Sequence, residues 1–378
     1  MVSSKFSSQR ALAGREETYQ WRQSNWLLEK LEGTADSRAC VVHQRHGATT
    51  HVPGRPTGPL SGAVSRLACC GPLCARRSLV CSTFWKVDVN NIFIARFSRR
   101  KPPYDGMPPR TGMADDSHEF QLVLERLRLN DPEMTNVRIA AWSPEFAGRL
   151  SAALRVNSHL RTLEVDGAAV SAGQKMGAEG GVMLAKAIES HPQLQRLHVN
   201  FHNLGDVGVG ALAGALQWNQ HVRDVAVNSN KMGRAGAESL AALLRENNTL
   251  TALSLGGNSE ASPAGVIALA EALMHNTSLR ELNLSFIPLN ANGVSQALAQ
   301  LLGAASCRLS NLKAVDCRLD AESIVPFAQA LHSCSSLTSL DLSENNRLRD
   351  DGCTQLAHAL ISNSCLTNLL LNWSGIGL

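Results

Sequence analysis

The chain has 378 residues, 44% hydrophobic, 18% charged and only 4% aromatic, enough to bury a sizeable core and, by length, to make two or three domains. Its net charge of +4 conceals a division: residues 1–112 carry 17 Lys and Arg against 7 Asp and Glu, and the remainder 19 against 25, a basic tail on an acidic body. The Leu- and Ala-rich, aromatic-poor composition argues against a sandwich or barrel, and no run reaches the roughly 18 uncharged apolar residues of a membrane helix.

Residues 1–112 lack sustained periodicity. GATTHVPGRPTGPLSG and SRRKPPYDGMPPRTG read as loop or linker from their Pro, Gly and Ser content, so a largely disordered basic segment is expected, apart from a helix at Glu16 to Glu32. Such a segment offers nucleic acid or a membrane surface only nonspecific charge. The most apolar stretch, Leu79 to Phe97, is interrupted by Lys86 and Asp88. A secretory h-region is missing, and the faint presequence signal of the opening residues is broken by Glu16 and Glu17, which makes the cytoplasm the expected compartment. Met113 opens a sensible domain start and is an alternative point of initiation. Cys40, His43, His46, His51, Cys69, Cys70, Cys74 and Cys81 are zinc-type residues, but without the C-x2-C pair that anchors a zinc module, so no metal site is assigned.

From residue 113 the pattern becomes regular. LVLERLRLNDPEMTNVRI, Leu122 to Ile139, reads as an amphipathic helix, a break at Asp131-Pro132 and a first strand; residues 113–133 are expected to form the cap at the amino-terminal end of a repeat domain. L-x-x-L-x-L triplets then begin at Met134, Leu160, Leu194, Val222, Leu250, Leu279, Leu309, Leu337 and Leu366, most of them 28 or 29 residues apart, giving about nine units in 134–378. Segments such as LRELNLS alternate with period two and read as short strands. Runs such as GVIALAEALMHN place Leu and Ala at i, i+3, i+4 and i+7, one apolar face of a helix. Each helical half is expected to open on a small residue: Gly180, Gly208, Gly236, Gly265, Gly293, Ser323 or Gly352. From there to the next strand the distance is 14 residues except after Gly293, where it is 16. Strands stack about 4.8 Å apart while packed helices need about 8–10 Å, so the expected fold is an α/β horseshoe solenoid with a parallel sheet on the concave side and helices on the convex side.

Position nine of three units is Asn (Asn230, Asn258, Asn345), whose amide can satisfy turn backbone groups; His202, Cys317 and Ser374 stand there in others. Asn alternating with Cys in units of 28–29 residues resembles the ribonuclease-inhibitor-like subclass of leucine-rich-repeat proteins, which includes the repeats of NOD-like receptors, Ran GTPase-activating proteins and tropomodulins. The helix, N-D-P turn and strand at the start resemble the tropomodulin cap. The resemblance covers roughly 245 residues and implies fold much more than function. It implies an intracellular protein-interaction module; the alternatives it carries are a GTPase-activating regulator of a Ran-like small GTPase and a tropomodulin-like actin-capping protein. Nothing in residues 1–112 matches the actin- and tropomyosin-binding segments of tropomodulins, and the acidic tail usual in Ran GTPase-activating proteins is not seen. The last unit is incomplete: LTNLLLNWSGIGL ends after a strand and its turn, so Leu366, Leu369 and Leu371 are expected in an uncapped edge strand that either a partner or further chain would cover.

A chemical site is not legible. GDVGVGALAG imitates a dinucleotide-binding turn, but its spacing, G-x-G-x-x-x-G, is that of a repeat turn. No Walker sequence, Ser-His-Asp arrangement, carboxylate pair or H-E-x-x-H occurs. Sequons at Asn247, Asn276, Asn283 and Asn372 lack a signal peptide to give them meaning, and the five cysteines of the repeats read as free thiols. The expectation is a non-enzyme without cofactor or metal that binds a protein through the polar positions between the strand leucines: Glu164, Asp166, Arg196, His198, Asn200, Asp224, Asn228, Glu281, Asn283, Lys313 and Asp341. Arg196, His198 and Trp218 are the anchors of the type interfaces use, although Trp218 at a helix end can equally pack on the next unit.

Overall fold

The computed structural model describes residues 84–87, 92–95, 118–139, 144–168, 175–291 and 293–376. The helix expected at Glu16 to Glu32 and the Cys/His residues 40–81 lie outside these.

The described elements open with two short strands, β1 (Phe84–Val87) and β2 (Ile92–Ala95), and strand and helix then alternate along the repeats. After helix α1 (His118–Arg128) come β3 (Asn136–Ile139), α2 (Pro144–Leu154), β4 (Thr162–Asp166), α3 (Gly177–Ile188), β5 (Arg196–Asn200), α4 (Gly205–Leu216), β6 (Asp224–Ala226) and α5 (Arg234–Glu246). The series continues with β7 (Ala252–Ser254), α6 (Pro263–Leu273), β8 (Glu281–Asn283), α7 (Val294–Gly303), β9 (Asn311–Lys313), α8 (Ile324–Ser333), β10 (Ser339–Asp341), α9 (Arg349–Leu360) and β11 (Asn368–Leu370). Strands β3 to β11 pair in parallel in chain order as one sheet. The register is in phase, for instance Leu163 with Leu197, Leu197 with Val225 and Leu312 with Leu340. Each strand therefore turns its leucines inward onto the helices and its alternate residues outward, as the period of two requires. The strand and helix leucines join one continuous core from Phe120 to Ile376.

Helix α1 lies at the amino-terminal end of the described repeats and packs on the first of them. Phe120, Leu124 and Leu127 of α1 are buried, and the Phe120 ring packs on Phe146 of α2, centroids 3.7 Å apart. The N-D-P turn is built from side chains: Asp131 accepts bonds from Arg126 Nε at 2.6 Å and Glu133 N at 2.9 Å, while Asn130 Oδ1 accepts Ser158 N from the next unit. The Arg126 guanidinium beside Asp131 holds its carboxyl below the usual range.

Two expectations are corrected. The recurrent small residue does not open most of its helices. Gly236 and Gly265 lie inside α5 and α6, where an added Cβ would meet Met232 Cγ at 2.6 Å and Ala237 Cβ at 2.8 Å respectively. The constraint is close packing against the preceding turn and the neighbouring unit, and the helix starts two or three residues earlier. Only Gly293 and Ser323 stand at the N-cap. Second, the edge at β11 is covered. Strands β1 and β2, antiparallel to each other, form a hairpin that adds β2 in parallel to β11, with Phe93 opposite Asn368 and Ile94 opposite Leu369. These strands come from the apolar stretch of the N-terminal region, where composition gives no regular element because four-residue strands are too short to show periodicity among prolines and glycines.

Asn230, Asn258 and Asn345 act as expected. Asn345 Nδ2 donates to Ala314 O and Leu342 O, both at 2.8 Å, and its Oδ1 accepts Cys317 N and Leu319 N. Cys317 and His202 replace Asn by bonding the same turns, Cys317 through Sγ to Leu284 O and His202 by accepting Met176 N at Nδ1. A second ladder went unseen in the sequence: Asn157, Asn219, Asn247, Asn276 and Asn363, buried where helices hand over to strands. Asn247 Nδ2, for example, donates to Leu216 O and Asn219 O while its Oδ1 accepts Thr249 N and Leu250 N. The burial and bonding of Asn247 and Asn276 leave no room on their amides for a glycan.

Candidate functional site

Ten of the eleven residues expected at the binding face lie in strands β4 to β10, Asn228 follows in the turn after β6, and none of the eleven is buried. Pairing aligns them in rows across the sheet: Glu164 with His198, Asp166 with Asn200, Arg196 with Asp224, Asn283 with Lys313, and Lys313 with Asp341.

The amino-terminal half of this face is a charge network. Arg196 Nε donates to Asp224 Oδ2 at 2.7 Å, and His198 Nε2 lies 3.0 Å from Asp224 Oδ1. Burial pushes the Asp224 carboxyl up, but the bonds and charges of His198 and Arg196 outweigh it and the net shift is downward. Arg138 of β3 pairs with Glu164. Such half-exposed pairs are worth about 0.2–1 kcal/mol each and fix side-chain positions more than they stabilise the fold.

The middle of the face is smaller and neutral, with Ala226, Ala252 and Ser254. A hydrogen-bonded chain crosses it: Asn228 N donates to Asn200 Oδ1, Ser254 Oγ to Asn228 Oδ1 at 2.7 Å, and Asn283 Nδ2 to Ser254 Oγ at 3.0 Å. Asn200, Asn228 and Asn283 are thus partly committed to one another. In the carboxyl-terminal half, Glu281 and Lys313 are exposed and make no ion pair among the described residues. Asp341 accepts Ser343 N. The structure joins Arg196, His198 and Asp224 in one cluster but leaves Glu281, Lys313 and Asp341 outside it, towards the other end of the sheet. Sequence reasoning missed Arg138 and Ser254; applying the same alternation to the first and fifth units would have found both.

Trp218 is 71% exposed and borders the next unit across a cleft of about 480 Å³ that it lines with Arg223, Glu246 and Asn248, at the edge where the strands begin. Among the described residues no group of three or more His, Cys, Asp or Glu could hold a metal ion, and no helix is long and apolar enough to cross a membrane. Cys307, Cys317, Cys334, Cys353 and Cys365 are free thiols, and burial pushes those of Cys317 and Cys353 up to about 12, which makes them unreactive.

Similarity to known proteins agrees with this geometry. A family model described as leucine-rich repeat matches residues 190–213, 219–241, 275–295 and 333–357. These segments of the chain are leucine-rich repeats. The chain is similar to the human NACHT, LRR and PYD domains-containing protein 5, 37% identical over 114 residues, 30% of this chain and 9% of that protein. It is also similar to the bovine NLR family CARD domain-containing protein 4, 30% identical over 120 residues, 31% of this chain and 12% of that protein. The chain thus spans about a tenth of the length of these curated relatives. Among solved structures, the leiomodin-1 actin-binding site 2 aligns with 56% of this leucine-rich-repeat chain and 87% of its own, at 20% identity and a TM-score of 0.31.

Proposed function

We propose that this protein is an interaction module that binds a protein partner through the concave face of its repeat sheet. The observation that carries the reading is the division of labour within each strand. Leu163, Leu197, Leu282 and Leu312 are fully committed to the core, while the residues between them are polar, varied from unit to unit and not needed for packing. A rigid sheet that presents Arg196 and His198 at one end and Glu281, Lys313 and Asp341 at the other gives a partner a mixed-charge surface of fixed geometry, which favours specificity and rate of encounter. The similarity to repeat segments of NACHT- and CARD-containing proteins supports an interaction role and leaves the partner to experiment.

The test is affinity capture with the full chain as bait, in parallel with an Arg196→Glu/His198→Glu variant, with bound proteins identified by mass. A discrete partner that the variant loses is the expected result. A partner retained equally by both proteins would place binding elsewhere.

A further inference from the structure

A second surface, independent of the concave face, lies at the edge where the strands begin. The residues immediately before the strands form their own hydrogen-bonded row: Gln195 N donates to Arg161 O, Arg223 N to Gln195 O, Thr251 N to Arg223 O and Arg280 N to Thr251 O. Arg161, Arg223 and Arg280 thus recur at every second strand, all exposed, with uncharged Gln195 and Thr251 between them. Neighbouring strands are about 4.8 Å apart, which sets the arginines about 10 Å from one another.

The charge at this edge is predominantly positive. From α2 to β9, the connections leading from helix to strand contain five arginines and one carboxylate, Glu189, and the exposed end of α5 adds Arg245 and Glu246, the latter lining the same cleft as Arg223, although the body as a whole is acidic. Asp224, next to Arg223 in sequence, is already held by Arg196 and His198. Among the described residues neither Arg161 nor Arg223 makes an ion pair. Arg280 Nη1 donates to Thr277 O and Leu279 O, which orients its guanidinium on the loop. Beside Arg223 opens the cleft lined by Trp218, whose indole is 71% exposed. Arg and Trp at the centre of a surface are the residue types that anchor interfaces.

We propose that this edge docks an acidic segment of a protein partner in polyproline II conformation, with carboxylates at every third residue on Arg161, Arg223 and Arg280 and one apolar side chain against the exposed Trp218 indole. The spacing follows from geometry, since a polyproline II chain has three residues per turn and advances about 3.1 Å per residue, so every third side chain faces the same side about 9–10 Å from the last, matching the 10 Å between arginines. Arg forks grip carboxylates in pairs of hydrogen bonds, and the indole gives the apolar contact that separates docking from simple charge attraction.

Fluorescence anisotropy with the full chain tests this. The probes are a labelled ten-residue peptide with Glu at positions 1, 4 and 7 and Leu at position 5, a peptide of the same composition with its Glu residues adjacent, and a ten-nucleotide oligouridylate. The basic residues 1–112 are common to all protein variants and cancel in the comparison. The spaced peptide should bind at least tenfold more tightly than the adjacent one. Arg161→Glu/Arg223→Glu should abolish that preference, and Trp218→Ala should weaken the spaced peptide severalfold, both with an unchanged circular dichroism spectrum. No binding of the spaced peptide, equal binding of the two peptides, no effect of the double variant, or stronger binding of the oligouridylate at the same arginines would each overturn the proposal. Because these residues are separate from Arg196 and His198, failure here leaves the concave-face test untouched.

Discussion

Replacing Asn258 with Ala isolates the energetics of the solenoid's turns. Asn258 Nδ2 donates to Val227 O at 3.0 Å and Leu255 O at 2.6 Å, and its Oδ1 accepts Asn230 N at 2.9 Å and Met232 N at 3.1 Å. The residue is fully buried, so truncation strands four backbone groups away from water. At about 1 kcal/mol for each, the lower end of the cost of an unsatisfied buried group, the variant should lose about 4 kcal/mol, a large share of the roughly 5–15 kcal/mol that holds a domain. Solenoid stability is a sum of nearest-neighbour terms, so loss should concentrate in the fourth to sixth units. Urea unfolding gives the total, and hydrogen exchange of the amides of residues 225–258 gives its location. The control is Asn283→Ala, whose half-buried side chain bonds only Ser254 Oγ and Ser285 N and can be replaced by water at about 1 kcal/mol or less. If Asn258→Ala costs no more than Asn283→Ala, the amide ladder is not what holds the turns.

Acid should unfold the repeats through their buried histidines. Burial holds His202 and His191 neutral with pKa values down to about 4 from an ordinary 6.5. The unfolded chain therefore takes up protons first, and stability should be flat above about pH 7 and fall as pH drops through 6.5 towards 4, by about 3 kcal/mol for each histidine. His202→Asn, which restores the usual ladder residue, should roughly halve that fall, leaving the part due to His191, in urea midpoints measured from pH 7 to 4.5. Gly265→Ala should cost about 1–3 kcal/mol by forcing α6 away from Ala237 of α5, visible as a lower melting temperature. Trp218→Ala, by contrast, should change stability by about 0.5 kcal/mol or less because the indole is exposed, whereas Phe120→Ala should cost about 3–5 kcal/mol and loosen the cap.

The fold was legible because its signal is repeated. Leucines at fixed spacing identify strand and helix halves in every unit, and Asn230, Asn258 and Asn345 identify the turn that separates them. The features missed depend on contacts between units. Asn247 and Asn276 look like surface sequons until their amides are seen bonded to carbonyls about thirty residues earlier in the chain. Gly236 looks like a helix start until Met232 and Asp206 are seen against it. The concave residues were identifiable as positions, since alternation alone assigns a face. Which of them remain available was not, because the Arg196–Asp224–His198 cluster and the Asn228–Ser254–Asn283 chain arise from register between strands 26 to 29 residues apart in sequence.

The most direct test of concave-face binding is carboxylate footprinting of the full chain with and without its captured partner. Carbodiimide labels exposed carboxyls, and mass spectrometry of the digest reads each one. Binding on the concave face should protect Asp166, Glu281 and Asp341 while Glu179 and Glu271, exposed on α3 and α6, stay as reactive as in the free protein. Protection of Glu179 and Glu271 with the three concave carboxylates unchanged would contradict the account and assign the partner to the helical side.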